Sequence, residues 1–245
     1  MHKTMLHTVV RGFLPCIIML PAFAQAAISL DRTRVIFDGG QTSMTLSISN
    51  ENKQLPYLAQ AWLEDKDGKK ITTGPLVVTP PLQRLEPGKQ SLIRIQSAAG
   101  ARLLAQDRES LFYFSLREIP PKSEKPNVLQ IALQTRVKLF YRPESLKAKP
   151  GEIWQEKLVL HKVADGYRIE NPTPYYITVI GMGNTKKAAE NAPFEAVMVA
   201  PKSSEQVVVQ GNTPYLTYIN DYGGRPVLSF TCSGSQCTAL PGENR

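Results

Sequence analysis

The sequence predicts an all-β protein built from two β-sandwich domains. Short stretches in which every second residue is apolar, such as "TLSIS" and "LIRIQ", recur along the chain, as expected for strands with one face on a core. Segments rich in turn residues, such as "EDKDGKK" and "LEPGK", separate these stretches. No long segment with a helical period follows residue 26, and short strands at this spacing are typical of β-sandwiches.

The first 26 residues have the features of a secretory signal peptide. Lys3 and Arg11 lie in a basic start, an apolar run covers 12–24, and a small-residue cleavage pattern ends at Ala26. The apolar run is too short to span a bilayer as an anchor. An amphipathic first helix is the alternative, but the helical period is missing. The sequence therefore predicts cleavage after Ala26 and export to an oxidising compartment.

The remaining chain is moderately basic and long enough for two cores. Removal of 26 of the 245 residues leaves 219, and loss of Lys3 and Arg11 lowers the formal net charge from +8 to +6. The rest has no block of Lys and Arg, and its aromatic residues are not interleaved with basic ones. We therefore predict neither a nucleic acid partner nor stable insertion into a membrane.

Two cysteines remain after cleavage, in "FTCSGSQCT". Cys232 and Cys237 are separated by four residues that a hairpin turn bridges. A redox couple usually has two intervening residues, and a metal site needs more ligands than this segment contains. We favour a structural disulfide and predict no metal site.

The strand pattern pauses at "PESLKAKPGE", 143–152, and a second strand series follows. Two prolines, a glycine and several charges are typical of a linker between domains. We predict an N-terminal domain at 27–145 and a C-terminal domain at 146–245. The linker is short, so we expect the two domains to meet at a fixed angle and to leave a cleft.

The sequence offers little for catalysis. After cleavage His161 is the single histidine, and it lies in strand-like "LVLHKV" without a nucleophile motif nearby. The segment "GMGNTKK" lacks the spacing of a phosphate-binding loop and is interpreted as a glycine-rich turn. We predict no catalytic residues, no cofactor and no enzymatic activity.

The segment "NVLQIALQTRVKLFYRP", 127–143, is unusually long and apolar. As a single strand it places Leu129, Ile131 and Leu133 on one face and would extend roughly 50 Å, more than one small sandwich needs. One interpretation is an edge kept open for a partner strand. The other is a central strand paired on both sides, which the apolar pattern alone favours.

Two cations interrupt strand patterns that otherwise look buried. Lys138 lies in the long segment, and Arg34 lies in "LDRTRVIF". A buried ammonium needs an anionic partner. If the two lie together between the domains, they form a socket for a carboxylate such as the C-terminus of a bound chain. Exposure on the surface is the alternative.

Several long blocks resemble the PapD family of periplasmic pilus-assembly chaperones. The resemblance extends from Ala27 to about Cys237, and its blocks are "AISLDRTRVIFDG", "NKQLPYLAQAW", "TPPLQRLEPG", "QDRESLFYFSLREIPP", "NVLQIALQTRVKLFYRP", "GYRIENPTPYY" and "YINDYGGRPVLSF". It implies two immunoglobulin-like domains in an L or boomerang arrangement. The implied partners are pilus subunits, both pilins and adhesin, and an outer-membrane usher, with a self-capping dimer of the free chaperone as a further form.

The resemblance also implies roles for residues. Leu129, Ile131 and Leu133 would enter the incomplete sandwich of a subunit, while Arg34 and Lys138 would hold its terminal carboxylate. Glu109, Arg142 and Asp221 would form a charge network between the domains; as exposed ion pairs they would fix geometry more than they stabilise. Ser115 stands where the family commonly has Asn, which puts its local hydrogen bonding in doubt. A pilus structural subunit or adhesin is the alternative function, and it would need an alternating donor segment near its mature N-terminus.

Overall fold

The computed structural model describes residues 26–149 and 151–242. The signal peptide predicted at 1–26 lies, apart from Ala26, outside the described residues. The described chain is almost entirely strand and loop, with one six-residue α-helix and three short 3₁₀ helices at Ala99–Leu103, Glu144–Leu146 and Trp154–Lys157. The predicted all-β class is confirmed.

The N-terminal half contains two sheets. Its strands are β1 Ile28–Leu30, β2 Arg34–Asp38, β3 Ser43–Asn50, β4 Tyr57–Glu64, β5 Lys70–Ile71, β6 Leu76–Thr79, β7 Leu82–Leu85, β8 Gln90–Ser97, β9 Ser110–Ile119 and β10 Gln134–Arg142. The first sheet has the order β1-β3-β8-β6, and the second has the order β2-β10-β9-β4-β5 with β7 paired to β4. The β2–β10 pair is parallel, while every other pair described in these two sheets is antiparallel.

Alternation in the sequence explains how these sheets pack. Leu46 and Ile48 of β3, and Ile93 and Ile95 of β8, are at most 1% exposed, whereas the residues between them point away from the core. The second sheet contributes residues such as Phe114 to the same cluster. Two amphipathic sheets thus bury their apolar faces against each other, as the strand pattern predicts.

The C-terminal half forms one eight-stranded sheet around its own core. Its strands are β11 Val159–Val163, β12 Gly166–Asn171, β13 Ile177–Gly183, β14 Val197–Val199, β15 Ser203–Val207, β16 Tyr215–Ile219, β17 Val227–Ser233 and β18 Gln236–Ala239. They lie in the order β14-β13-β16-β17-β18-β11-β12-β15. The predicted disulfide between Cys232 and Cys237 is present and joins β17 to β18, with an S–S distance of 2.02 Å.

The segment "GMGNTKK" continues into a short helix rather than a simple turn. The helix α1 covers Lys186–Asn191, and the hydroxyl of Thr185 accepts a hydrogen bond from the Ala188 amide, as at a helix N-cap. No phosphate-binding loop forms there.

The two halves have separate hydrophobic cores. One cluster runs from Ile28 to Tyr141 and the other from Trp154 to Cys237. Leu146 and Ala148 pack against the second cluster. Two domains are therefore confirmed, while the boundary between 145 and 146 stays a prediction.

The long strand predicted at 127–143 is wrong in its first half. β10 begins at Gln134, and the chain from 120 to 133 has no regular structure. From Gln134 onwards β10 is a central strand, paired with β9 on one side and β2 on the other. The last backbone bond before it joins Glu118 N to Leu133 O at 3.0 Å. β9 ends at Ile119 and the β2 pairing begins at Lys138, so no strand among the described residues pairs with 127–132.

Candidate binding site between the two domains

Arg34 and Lys138 lie side by side. They are the first partners in the parallel β2–β10 ladder. Their neighbours Val35, Val137 and Leu139 face the N-terminal core and are at most 8% exposed. Since side chains alternate along a strand, both cations point to the opposite face of the sheet, towards the C-terminal domain. The sequence-predicted pair is therefore brought together.

Both cations reach residues of the C-terminal domain. Arg34 Nη1 donates to the carbonyl oxygen of Ile219 at 3.1 Å. Lys138 Nζ donates to Thr178 Oγ1, also at 3.1 Å. Thr178 and Ile219 are opposite each other in the β13–β16 pair, so one short stretch of that sheet faces both cations.

The pair lacks a direct anionic partner within the described part of the chain. Neither cation forms a salt bridge there, and the buried Nε of Arg34 has no hydrogen-bond partner. Burial, followed by the positive charge of Arg34, lowers the pKa of Lys138 to about 8. Burial also lowers the pKa of Arg34, against the opposing effect of Asp221 and Glu109. A carboxylate bound here would offset two partly desolvated charges.

A crevice of about 420 Å³ opens beside Arg34. Its lining residues are Asp31, Arg32, Thr33, Arg34, Ile36, Asp221 and Tyr222. The loop that carries Asp221 and Tyr222 approaches Thr33 closely at Gly223, whose φ of 83° suits glycine and whose Cβ, if present, would lie 2.7 Å from Thr33 Oγ1. The crevice is thus formed by both domains.

The apolar segment before β10 is exposed. Leu129, Ile131 and Leu133 are 85%, 64% and 42% exposed, and Val128 is 48% exposed. Gln130 holds the segment from the other side, because its Nε2 donates to Pro121 O at 2.6 Å and its Oε1 accepts from Ser123 N at 3.3 Å. The segment therefore presents an alternating apolar row that ends about 16 Å before Lys138 along the same chain.

Glu109, Arg142 and Asp221 form a buried network across the domain junction. Arg142 Nε donates to Glu109 Oε1 at 2.8 Å, and its two terminal nitrogens donate to Asp221 at 2.8 and 3.2 Å. Glu109 and Arg142 are only 3% and 7% exposed. The expectation of exposed ion pairs is therefore wrong: the rings of Trp154 and Tyr175 lie about 5 Å from the guanidinium and help to exclude water.

Glu109 also binds the C-terminal domain through the backbone. Its Oε2 accepts from Tyr176 N at 2.7 Å, and its own amide donates to Pro174 O at 2.9 Å. Burial raises the pKa of Glu109 to about 7, although Arg142 and the Tyr176 amide favour the carboxylate. Breaking the buried Glu109–Arg142 pair would leave an uncompensated charge.

Several contacts at the junction were not predicted from the sequence. They are the Thr178 hydroxyl, the Ile219 carbonyl, the Phe140–Tyr176 ring stack and the ion pair of Lys202 with Asp107 at 2.6 Å. Backbone carbonyls carry no sequence signal, and the other side chains lie in ordinary strand or loop patterns. The one sequence feature near these contacts that could indicate a junction is the run of a proline and two tyrosines at Pro174, Tyr175 and Tyr176.

Ser115 has a complete set of partners. It is fully buried, donates to Glu64 Oε1 at 2.7 Å and lies 3.3 Å from Gln134 Nε2, which donates to it. The doubt about its hydrogen bonding is thus resolved.

The described residues contain no group suited to metal binding. No cluster of three or more His, Cys, Asp or Glu side chains occurs among residues 26–149 and 151–242. His161 Nε2 pairs with Glu170 at 2.7 Å on the neighbouring strand. No helix in these same ranges has the length and apolarity that a membrane crossing requires.

The chain matches two family profiles over most of its length. Residues 27–147 match "Pili and flagellar-assembly chaperone, PapD N-terminal domain", and 153–230 match "Pili assembly chaperone PapD, C-terminal domain". Chaperones of this kind are not an enzyme class.

Known relatives agree with these profiles. The chain is 64% identical to the Escherichia coli chaperone protein PapD over 216 residues, which cover 88% of this chain and 90% of the relative. It is 44% identical to the Proteus mirabilis chaperone protein PmfD, covering 90% and 89%. A chain of the solved Salmonella enterica SafA pilin–SafB chaperone complex is 27% identical with a TM-score of 0.71, covering 86% of this chain and 99% of that chain. The protein therefore belongs to the PapD family of pilus-assembly chaperones.

Proposed function

We propose that this protein is a periplasmic chaperone that binds pilus subunits, completes their fold with its own segment 127–133, and delivers them to an outer-membrane usher. One observation carries the proposal: an exposed alternating apolar row leads directly into the strand that holds an unneutralised cation pair. Membership of a chaperone family and the likeness to a chaperone in complex with a pilin support it.

The apolar row supplies the donor strand. Leu129, Ile131 and Leu133 alternate with Gln130 and Ala132, so an extended conformation turns all three towards one side. Within the described ranges, Leu133 O accepts from Glu118 N of β9, whereas 127–132 pair with no strand, which leaves their backbone groups available to an incomplete sandwich. Burial of the row contributes roughly 25 cal/mol per Å² of apolar surface removed from water.

The pair of cations, Arg34 and Lys138, sets the register of the bound subunit relative to the segment 127–133. A subunit's terminal carboxylate would accept hydrogen bonds from the Arg34 guanidinium and Lys138 Nζ and fix the end of its chain. The register then decides which subunit pocket meets each apolar side chain, and a slip of one residue would present the opposite face. Glu109, Arg142 and Asp221 keep the two sides of the crevice in place.

The rival function, a pilus structural subunit or adhesin, is not favoured. Both chaperone profiles match, and the described chain forms two domains.

The proposal is tested by refolding a purified, denatured pilus subunit in the presence of the chaperone. We expect the wild-type protein to hold the subunit in a soluble one-to-one complex on gel filtration. Lys138→Ala removes a desolvated charge, so it should fold normally yet lose the complex. The control Lys187→Ala changes an exposed lysine of α1 and should bind as the wild type does. Unchanged capture by Lys138→Ala would contradict the anchor.

A further inference from the structure

We propose that the outer face of the second N-terminal sheet is an additional docking surface, which takes an acidic flank of the same subunit beside its groove. This inference rests on the proposed function and deepens it, because it names the surface chemistry that the client must carry. The surface, here called the basic face, consists of Lys70, Arg117 and Arg136 with Trp62 and Tyr113.

The strand register places these side chains next to one another. On the face that carries Lys138, β10 also carries Arg136, which is opposite Ser115 of β9. Arg117 of β9 is opposite Gln134, and Ser115 is opposite Trp62 of β4. Residues directly opposite each other in an antiparallel pair point to the same side of the sheet. The basic face is thus continuous with the anchor pair.

Aromatic rings hold the cations in place. The guanidinium carbon of Arg136 lies 3.4 Å from the ring centre of Tyr113. Arg117 and Lys70 lie 5.2 and 5.3 Å from the ring of Trp62. Long basic side chains normally lose conformational freedom when they bind a partner. These three are already stacked on the sheet, so less freedom remains to be lost on docking.

The carboxylate within this face, that of Glu64, is covered by its neighbours. Glu64 is 7% exposed, and its two oxygens accept hydrogen bonds from Trp62 Nε1, Ser115 Oγ and Arg136 Nε at 2.9, 2.7 and 2.6 Å. Lys70 and Arg117 are exposed and form no salt bridge within the described ranges. Glu64 thus neutralises Arg136, and the face keeps the unpaired positive charges of Lys70 and Arg117.

The position of the basic face determines its occupant. Arg117 Nη2 donates to Gln134 Oε1 at 3.1 Å, so one edge of the face adjoins the end of the apolar segment 127–133. The other edge adjoins Lys138, which is opposite Tyr113. A subunit whose tail is held by Lys138 therefore lies next to this face. A second copy of this basic chain would bring like charges together, whereas an acidic subunit flank complements them.

The test compares two double variants that change the net charge equally. Lys70→Glu with Arg117→Glu reverses the basic face, while Arg102→Glu with Lys187→Glu reverses two exposed cations elsewhere. Association of each protein with a purified, denatured pilus subunit is followed by stopped flow at low and high salt. We expect the first variant to associate about tenfold more slowly at low salt, a difference that shrinks at high salt, and the control to match the wild type.

A second arm uses the same subunit with the carboxylates around its groove changed to amides. We expect its association with the wild-type chaperone to be slow and little affected by reversal of the basic face. Equal slowing by both double variants would mean that only net charge matters and would overturn the inference. The inference would also be overturned if the variant with the reversed basic face associated with the subunit at the wild-type rate. This holds even if sedimentation showed that the same variant had altered self-association. Absence of any wild-type complex would instead overturn the proposed function, and this inference with it.

Discussion

The substitution Ile131→Asp distinguishes two interpretations of the segment 127–133. The segment either binds a client or belongs to the core of the chaperone itself. Ile131 is 64% exposed and lies in the apolar row before β10. Full burial of an isoleucine side chain contributes about 1.5–3 kcal/mol. Since roughly two-thirds of this surface is still in water, insertion into a subunit groove would contribute about 1–2 kcal/mol.

Aspartate loses that contribution and also places a carboxylate in an apolar groove. A buried polar group without a partner costs at least about 1–3 kcal/mol more. The sum of about 2–5 kcal/mol predicts that the affinity for a pilus subunit falls by roughly 30-fold to several thousand-fold. The chaperone itself should lose less than about 0.5 kcal/mol of stability, or roughly 1–2 °C in melting temperature.

The assay measures subunit affinity by competition and melting by circular dichroism on the same samples. Leu103→Asp is the matched control, because Leu103 is 89% exposed but lies in a 3₁₀ helix away from the site. It should change neither quantity. Leu139→Ala serves as the stability reference, because Leu139 is fully buried in the core and its truncation should cost about 2–5 kcal/mol.

Melting of Ile131→Asp as low as that of Leu139→Ala would refute the reasoning, since it would make the segment part of the folded core. Affinity unchanged from the wild type would refute the donor role even if the protein remained stable.

Three further predictions concern the anchor, the network and the disulfide. A bound carboxylate raises the pKa of Lys138 above its free value of about 8, so calorimetric affinity for a subunit should be constant below that pH and fall above it; a flat profile would show that the charge is not used. Arg142→Ala leaves Glu109 buried without its cation and should lower the urea-derived unfolding free energy by about 3–5 kcal/mol, whereas a surface-like loss of a few tenths would contradict the buried network. Replacing both Cys232 and Cys237 by alanine should cost about 2 kcal/mol through the small closed loop and leave subunit affinity unchanged, because β17 and β18 contribute no residue to the site; weaker binding would show otherwise.

Local patterns predicted the parts of the fold that depend on local physics. The alternation in β3 and β8 identified which residues face the core, since a strand with one buried face imposes a two-residue period. The positions of Arg34 and Lys138 within such patterns indicated two cations in an unusual setting, and the family resemblance indicated that they lie together.

The start of β10 could not be predicted from the same pattern. Apolar residues keep the same two-residue parity from Leu129 to Tyr141, interrupted only by Thr135, although pairing begins only at Gln134. The length of a strand is set by the strands beside it, and the end of β9 at Ile119 lies far away in sequence. Residues 127–132 alternate as a strand does, but no strand of the described chain pairs with them.

Burial of the Glu109–Arg142 pair was missed for a similar reason. Charged residues are exposed by default, and the sequence does not reveal that Trp154 and Tyr175 of the other domain cover the guanidinium. The Ile219 contact was missed because a main-chain oxygen carries no residue-specific signal.

The anchor cations belong to one domain but donate to the other, through Ile219 and Thr178. Affinity for a tail in the crevice must then depend on how the domains are oriented. Thermodynamic linkage makes that dependence mutual. If one domain orientation raises the affinity for the client by some factor, the bound client favours that orientation by the same factor. The domains of a chaperone with a bound client should accordingly be more rigidly oriented than those of the free chaperone. A contact that rotates one domain relative to the other would lower the affinity for the client without touching it.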